Sequence, residues 1–238
     1  MGLLRYILLL IVFCSFTIPH VQRNKDLVLH LDLRKNQGKL PQDETGLNYC
    51  VGRGTTLVHE RNSYRFSSGG TDEVDCGTKS PLNFTTQITF SVWIFMNSTI
   101  TGIGKQTSGS SGFAYVVAYN TDNKVYFQMT GNGTTVTYGN TTTTYPLNQW
   151  VHVVCTYNGG GSTNANKMQI YINGIARSLA FAGTIPTSMY VTTANLRVNV
   201  LNGVTYGNGK MGLIRMFNSY FTPNQVWQEY VNTKELMY

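Results

Sequence analysis

Between Gln87 and Met96 the chain reads Gln-Ile-Thr-Phe-Ser-Val-Trp-Ile-Phe-Met, and this alternation limits the possible folds more than any other feature. In an extended strand successive side chains point to opposite sides, so Ile88, Phe90, Val92, Ile94 and Met96 share one face and point into a core. Trp93 and Phe95 on the other face are apolar too, so both sides need cover, as between the layers of a sandwich. A second strand of this strength is Gln149-Trp-Val-His-Val-Val-Cys-Thr-Tyr157, ended by Asn158-Gly-Gly-Gly161. Residues 167–172 run into Asn173-Gly174, the strongest two-residue hairpin signal. Residues 113–119 and 124–129 flank the turn Asn120-Thr-Asp-Asn123. Shorter candidate strands lie at 26–33, 64–67, 134–138, 196–200 and 210–217. Strands recurring with turn signals between them predict an all-β protein, a two-sheet antiparallel jelly-roll sandwich.

Composition agrees. Charged residues are only 12%, against 30 Thr, 22 Asn and 24 Gly, so the polarity is carried by hydroxyls and amides that suit strands and turns. Hydrophobic residues at 42% exclude a disordered chain. One helix is expected, over 222–234. Thr222-Pro-Asn-Gln225 supplies an N-cap, a proline at the first helical position and a capping-box glutamine, with Trp227, Tyr230 and Val231 as the apolar stripe. The net charge of +7 is scattered, and its densest cluster (Arg23, Lys25, Arg34, Lys35) is interrupted by Asp26 and Asp32. A nucleic-acid partner is therefore not expected.

Residues 1–25 differ from the rest. After Arg5 an apolar run containing Leu8, Leu9, Leu10, Ile11, Val12 and Phe13 extends to Ile18 and is closed by Pro19. Counted from Leu3 the run is 16 residues, which as a helix reaches about 24 Å, short of a hydrocarbon core of about 30 Å. A secretory signal shares this basic start and core length. Ser15 and Thr17, the only small pair at cleavage spacing, are separated by bulky Phe16. The expectation is a retained membrane anchor or packing arm over 1–25, followed by the jelly roll over 26–238.

Several motifs point to a family. Tyr64-Arg-Phe-Ser67, Asp72-Glu-Val-Asp-Cys-Gly77 and Ile88-Thr-Phe-Ser-Val-Trp-Ile94 resemble the opening of laminin-G-like, concanavalin A-like jelly rolls. Residues 148–157 and Met168-Gln-Ile-Tyr-Ile-Asn-Gly174 resemble the two central strands. Gly212-Leu-Ile-Arg-Met-Phe-Asn218 and Phe221-Thr-Pro-Asn-Gln-Val226 resemble the closing strand and terminal helix. The resemblance runs over about residues 26–235. It implies two curved sheets with rim loops open to binding, on a superfold that hosts lectins, adhesion modules, hydrolases and virion proteins. The stretch Tyr230-Val-Asn-Thr-Lys234 is also similar to versions in virus and phage structural proteins.

Catalysis is not expected. Glycosidases of this fold need two carboxylates about 5 Å apart. Here only Asp72, Glu73 and Asp75 cluster, and the 87–96 and 149–157 strands carry no acid. No Gly-x-Ser-x-Gly elbow accompanies the four histidines, and His152 reads as a rim or satisfied histidine, not a base. Relatives of the fold sometimes hold calcium, for which Asp72, Asp75 and Asp122 are the hard-oxygen candidates here; the alternative is solvated turn carboxylates. No other cofactor is expected, and Cys14, Cys50, Cys76 and Cys155 lack zinc spacing. A Cys50–Cys76 bridge would pin the long early loop, but the odd count within the domain favours free, partly buried thiols, with Cys155 a small hydrophobe in a strand. Asn83, Asn97, Asn132 and Asn140 stand in glycosylation sequons.

These readings predict a non-enzymatic structural or interaction protein. The lead form is a membrane-tethered minor capsid or other virion component at a capsid–membrane interface, with other structural proteins of an assembly as partners. The alternative is a cell-surface or secreted carbohydrate-binding module, membrane-anchored on the extracellular side. For that, 15 Tyr and the many Asn supply aromatic faces and amide donors.

Overall fold

A computed structural model describes residues 25–67, 69, 71–98, 101–107, 112–201 and 204–238. The expected anchor, with Leu8 to Phe13, lies outside the described residues. Among the described residues no helix is long and apolar enough to cross a membrane.

Two eight-stranded antiparallel sheets pack face to face. The first runs β13 (Ile175–Ala176), β12 (Met168–Ile172), β11 (Trp150–Asn158), β6 (Gln87–Ser98), β18 (Asn208–Phe217), β4 (Ser63–Phe66), β3 (Val58–Glu60). Its eighth member, β1 (Leu27–Asp32), pairs with residues 213–217 of β18, end to end with β4 on the same edge. The second sheet runs β14 (Leu179–Ala182), β10 (Thr137–Thr141), β9 (Val125–Met129), β8 (Tyr115–Tyr119), β7 (Thr101–Lys105), β15 (Leu196–Val198), β5 (Glu73–Asp75), β2 (Val51–Arg53). A two-stranded ribbon, β16 (Val200–Leu201) with β17 (Thr205–Tyr206), is hydrogen-bonded into neither sheet and packs beside β7. The α-helices among the described residues are α1 (Asn164–Lys167) and α2 (Pro223–Lys234), with a 3-10 turn at Ser80–Leu82.

The alternation of the Gln87 strand works as expected. Ile88, Phe90, Val92, Ile94 and Met96 are buried in one continuous core with Tyr115, Val117, Tyr119, Phe127 and Met129 of the opposite sheet. Asn173 (φ 51°) and Gly174 (φ 78°) are both left-handed, as the hairpin from β12 to β13 demands. The strand expected over 134–138 begins instead at Thr137. The Asn132 side-chain oxygen accepts from the backbone N–H groups of Thr134 and Thr135 at 3.0 and 2.8 Å, holding those residues in a turn.

Helix α2 covers part of the outer face of the first sheet. Its start is the predicted capping box: Thr222 accepts from the Gln225 N–H, and the Gln225 side chain accepts from the Thr222 N–H at 2.8 Å. The buried face differs from the expected stripe. Val226, Glu229 and Thr233 turn inward, while Trp227 stays 45% exposed. The rotation has a polar cause, because Arg215 on the sheet beneath requires an acid, and Glu229 meets it at 2.6 Å.

Candidate functional site

Strand register builds the site. Val58, Arg65, Lys210, Phe95 and Trp150 are successive partners across β3, β4, β18, β6 and β11, a row on the outer face of the first sheet. The next row holds Trp93 opposite His152, and α2 covers it: the Trp93 indole N–H donates to Thr233 Oγ1 at 2.8 Å. The helix stops short of the Phe95 row. There Phe95 and Trp150 meet edge to face, ring centroids 5.8 Å apart, both half-buried. Tyr238, 80% exposed, forms the far lip, its hydroxyl donating to the Trp150 carbonyl at 3.4 Å. The result is an open groove of about 280 Å³ lined by these rings with Glu60, Arg61, Asn62 and Lys210. That is the small end of ligand clefts, suited to one or two sugar-sized rings. Lys210 Nζ lies 5.8 Å over the Phe95 ring and 2.9 Å from Glu60, which also takes Arg65 Nε at 2.5 Å. These contacts hold the Glu60 carboxyl below its usual range.

A second recess, about 410 Å³ and without aromatic rings, lies on the second sheet along the edge strand β2. Arg53 pairs with Asp75 at 3.0 Å, Arg197 Nε donates to Glu73 at 2.7 Å, and Asn195 donates to both Asp75 oxygens at 2.9 Å. Two guanidiniums and two carboxylates thus answer one another across β2, β5 and β15. Beside this ladder Cys50 and Cys76 form a disulfide, which overturns the expectation of free thiols. The pairing of Val51 with Asp75 brings the flanking cysteines together, Cα atoms 4.0 Å apart, and the odd cysteine is Cys155, buried and reduced. Burial pushes the Cys155 thiol well above its ordinary range.

The three aspartates considered for calcium are not brought to one place. Buried Asp72 accepts from Thr56 N–H and hydroxyl at 3.0 and 2.7 Å and from the Ser67 N–H at 2.9 Å. Asp75 belongs to the ladder, and Asp122 sits in the β8–β9 turn, accepting from Lys124 N–H and the Tyr126 hydroxyl. Among the described residues no three His, Cys, Asp or Glu side chains gather as a metal site. Of the sequon asparagines, Asn97 and Asn132 are exposed, whereas Asn83 and Asn140 are half-buried. Asn83 accepts from the buried Lys105 ammonium at 2.5 Å, and desolvation lowers that lysine to about 8.

His152 lies beneath α2, stacked on Trp93 at 4.9 Å and on Tyr230 at 5.8 Å. Ser91 Oγ is 2.9 Å from His152 Nε2 and donates to Glu229 at 3.0 Å. The serine proton therefore points at the acid, and the imidazole must donate from Nε2, leaving buried Nδ1 without a partner. Catalytic triads run in the opposite sense, with histidine between serine and acid. Burial, and then the Arg215 charge, bring His152 down to about 3, so it is neutral at physiological pH. Burial raises Glu229, against the opposing pull of Arg215, whose contact is a close ion pair and not an aligned hydrogen bond.

The sequence did not single out Phe95, Trp150, Tyr238, Lys210 and Arg61 as a group. The one available signal was that Phe95 and Trp150 each take the outward phase of an otherwise apolar strand.

No curated protein matches the chain. Solved structures similar to it include the binding domain of botulinum neurotoxin serotype D/C, with a TM-score of 0.66 and 17% identity over 90% of this chain and 53% of that one. A botulinum neurotoxin type C structure, whose cell entry is described as dependent on two ganglioside molecules, gives a TM-score of 0.66 and 17% identity over 90% and 52%. The neurotoxin DC binding domain in complex with rat synaptotagmin II gives 0.65 and 16%, again over 90% and 52%. The chain spans about half the length of these domains, and identities this low carry the fold alone. The laminin-G-like family model of the concanavalin A-like lectin/glucanases superfamily matches residues 68–227, in agreement with the two-sheet architecture, and the chain belongs to that superfamily.

Proposed function

We propose that this chain is a non-catalytic recognition module that binds a saccharide in the groove of Phe95, Trp150 and Tyr238. The observation that carries the reading is the register row ending in two outward aromatic rings that α2 leaves uncovered. The C–H face of a sugar ring packs on such rings, while its hydroxyls need donors and acceptors at the edge, here Asn62, Glu60 and Lys210. The likeness to domains named for binding supports recognition over turnover, and so does the sealed Ser91–His152–Glu229 cluster. With 1–25 as a membrane anchor, the module would be displayed at a membrane surface, and a partner protein would be met through its glycans. The capsid role expected from the closing motif has no support from the groove or from the similar proteins named above, so the carbohydrate-binding alternative takes the lead.

The test is the full chain on a glycan array, beside Trp150→Ala. Saturable binding that Trp150→Ala removes, with the far-ultraviolet spectrum unchanged, is the expected result. Retention of no glycan, or undiminished binding by Trp150→Ala, would refute the reading.

A further inference from the structure

Arg61 at the lip of this groove is anomalous in two ways. It occupies the first position of the two-residue turn between Glu60 and Ser63, with φ 51°. A positive φ at that position of a hairpin favours glycine, and a residue with a Cβ is strained there. The other non-glycine residues at positive φ are four asparagines and Thr71, so Arg61 is the one long side chain held in this conformation among the described residues. It is also exposed, and no acid among the described residues pairs with it, although Arg65 and Lys210 on the neighbouring strands share Glu60. Three cations around one carboxylate leave the polar side of the groove positive.

An exposed arginine without a counter-ion, on a turn that glycine would fill with less strain, is explained by a ligand that supplies the anion. Resting on the saccharide reading above, we propose that the groove selects saccharides bearing an acidic group, a carboxylate or sulfate. The sugar ring lies on Phe95, Trp150 and Tyr238, and Arg61 pairs with the anion while Lys210 adds to the positive field. A guanidinium meets a carboxylate or sulfate through two parallel N–H donors, a geometry that a lysine or an amide does not offer. Glu60 is engaged by its own two cations, so its repulsion of an incoming anion is already muted.

The experiment measures the full chain against matched glycan pairs that differ only by an acidic group: sialylated and desialylated lactosamine, and sulfated and unsulfated lactosamine. Wild type should prefer the acidic member about tenfold at low salt, with the gap narrowing as ionic strength shortens the screening length. Arg61→Gly should erase the preference by weakening the acidic member about tenfold more than the neutral one, and should hold or raise the melting temperature, since glycine relaxes the turn. Equal affinity for both members in wild type, or a preference that survives Arg61→Gly, would overturn the assignment while the saccharide reading stood. Binding of neither member of any pair would overturn both. Trp150→Ala separates the two ideas further, because it should weaken acidic and neutral glycans alike.

Discussion

Replacing Arg215 with methionine tests how α2 is held. In wild type the Arg215 and Glu229 side chains are 19% and 9% exposed and lie 2.6 Å apart. Removing the guanidinium leaves a buried carboxylate with one remaining donor, the Ser91 hydroxyl. Breaking a buried pair by deleting one partner costs about 3–5 kcal/mol, because the surviving charge keeps its desolvation penalty. The variant has a partial escape, since Glu229 can take a proton. Burial already raises this carboxyl, and the loss of Arg215 raises it further. A carboxyl whose folded pKa lies above its unfolded value binds more protons in the native state, so stability falls as pH rises through that folded pKa and recovers below it. Arg215→Met should therefore lose about 3 kcal/mol at pH 7.5, at the lower end of that range because protonation offers relief. At about 2–4 °C per kcal/mol for a chain of this size, the melting temperature should drop about 6–12 °C. The deficit should shrink by up to about 1.4 kcal/mol for each pH unit below the folded pKa of Glu229. Urea unfolding followed by circular dichroism between pH 7.5 and 5 reads both quantities, and Arg215→Met/Glu229→Leu should recover most of the loss. A deficit under about 1 kcal/mol that is flat with pH would refute the reasoning, because the pair would then be neither buried nor important to the docking of α2.

The buried histidine and cysteines carry further expected outcomes. His152 is held near 3 in the folded state against an ordinary value of 6.5, so the folded chain resists a proton that the unfolded chain accepts. Stability is complete above about pH 6.5 and falls by up to about 1.4 kcal/mol per unit as pH drops toward 3, and His152→Phe should flatten that limb in urea titrations at pH 7 to 4. A slope that His152→Phe leaves unchanged would assign the acid sensitivity to other groups. Cys50→Ser opens a loop whose ends are 26 residues apart, a loss of about 3.5 kcal/mol on the chain-entropy account, to be read from the melting temperature. In the intact chain Cys50, Cys76 and Cys155 should resist alkylation until the protein is unfolded and reduced.

What the sequence revealed was local. The phase of Gln87–Met96, the Asn173-Gly174 turn and the Thr222–Gln225 capping box are each decided by neighbours within a few residues, and each is found where the sequence placed it. What stayed hidden depends on partners far apart in the chain. Glu73 meets Arg197 from 124 residues away, and Ser91 meets Glu229 from 138, so neither contact leaves a spacing signal. The Cys50–Cys76 bridge was obscured by counting, since Cys155 makes the number odd and only the β2–β5 pairing shows which two are adjacent. The groove was hidden for the same reason: Phe95, Trp150, Lys210 and Arg61 sit on different strands and loops, and only register unites them. The inward turn of Glu229 ran against the apolar stripe because a charge on the sheet outranked hydrophobic periodicity on the helix.

The strand order also bears on how the chain reaches its native state. Apart from a local bridge to Asp43 and Glu44, β1 finds its strand partner in residues 213–217, so the first strand described must await one of the last before it joins the sheet. Until then Leu27, Leu29 and Leu31 form a greasy ribbon with open backbone groups, the kind of segment that seeks other chains. Such distant pairing makes for slow closure. Yield on refolding should therefore depend steeply on protein concentration, and dilution or a holding chaperone should rescue more material than a change of temperature.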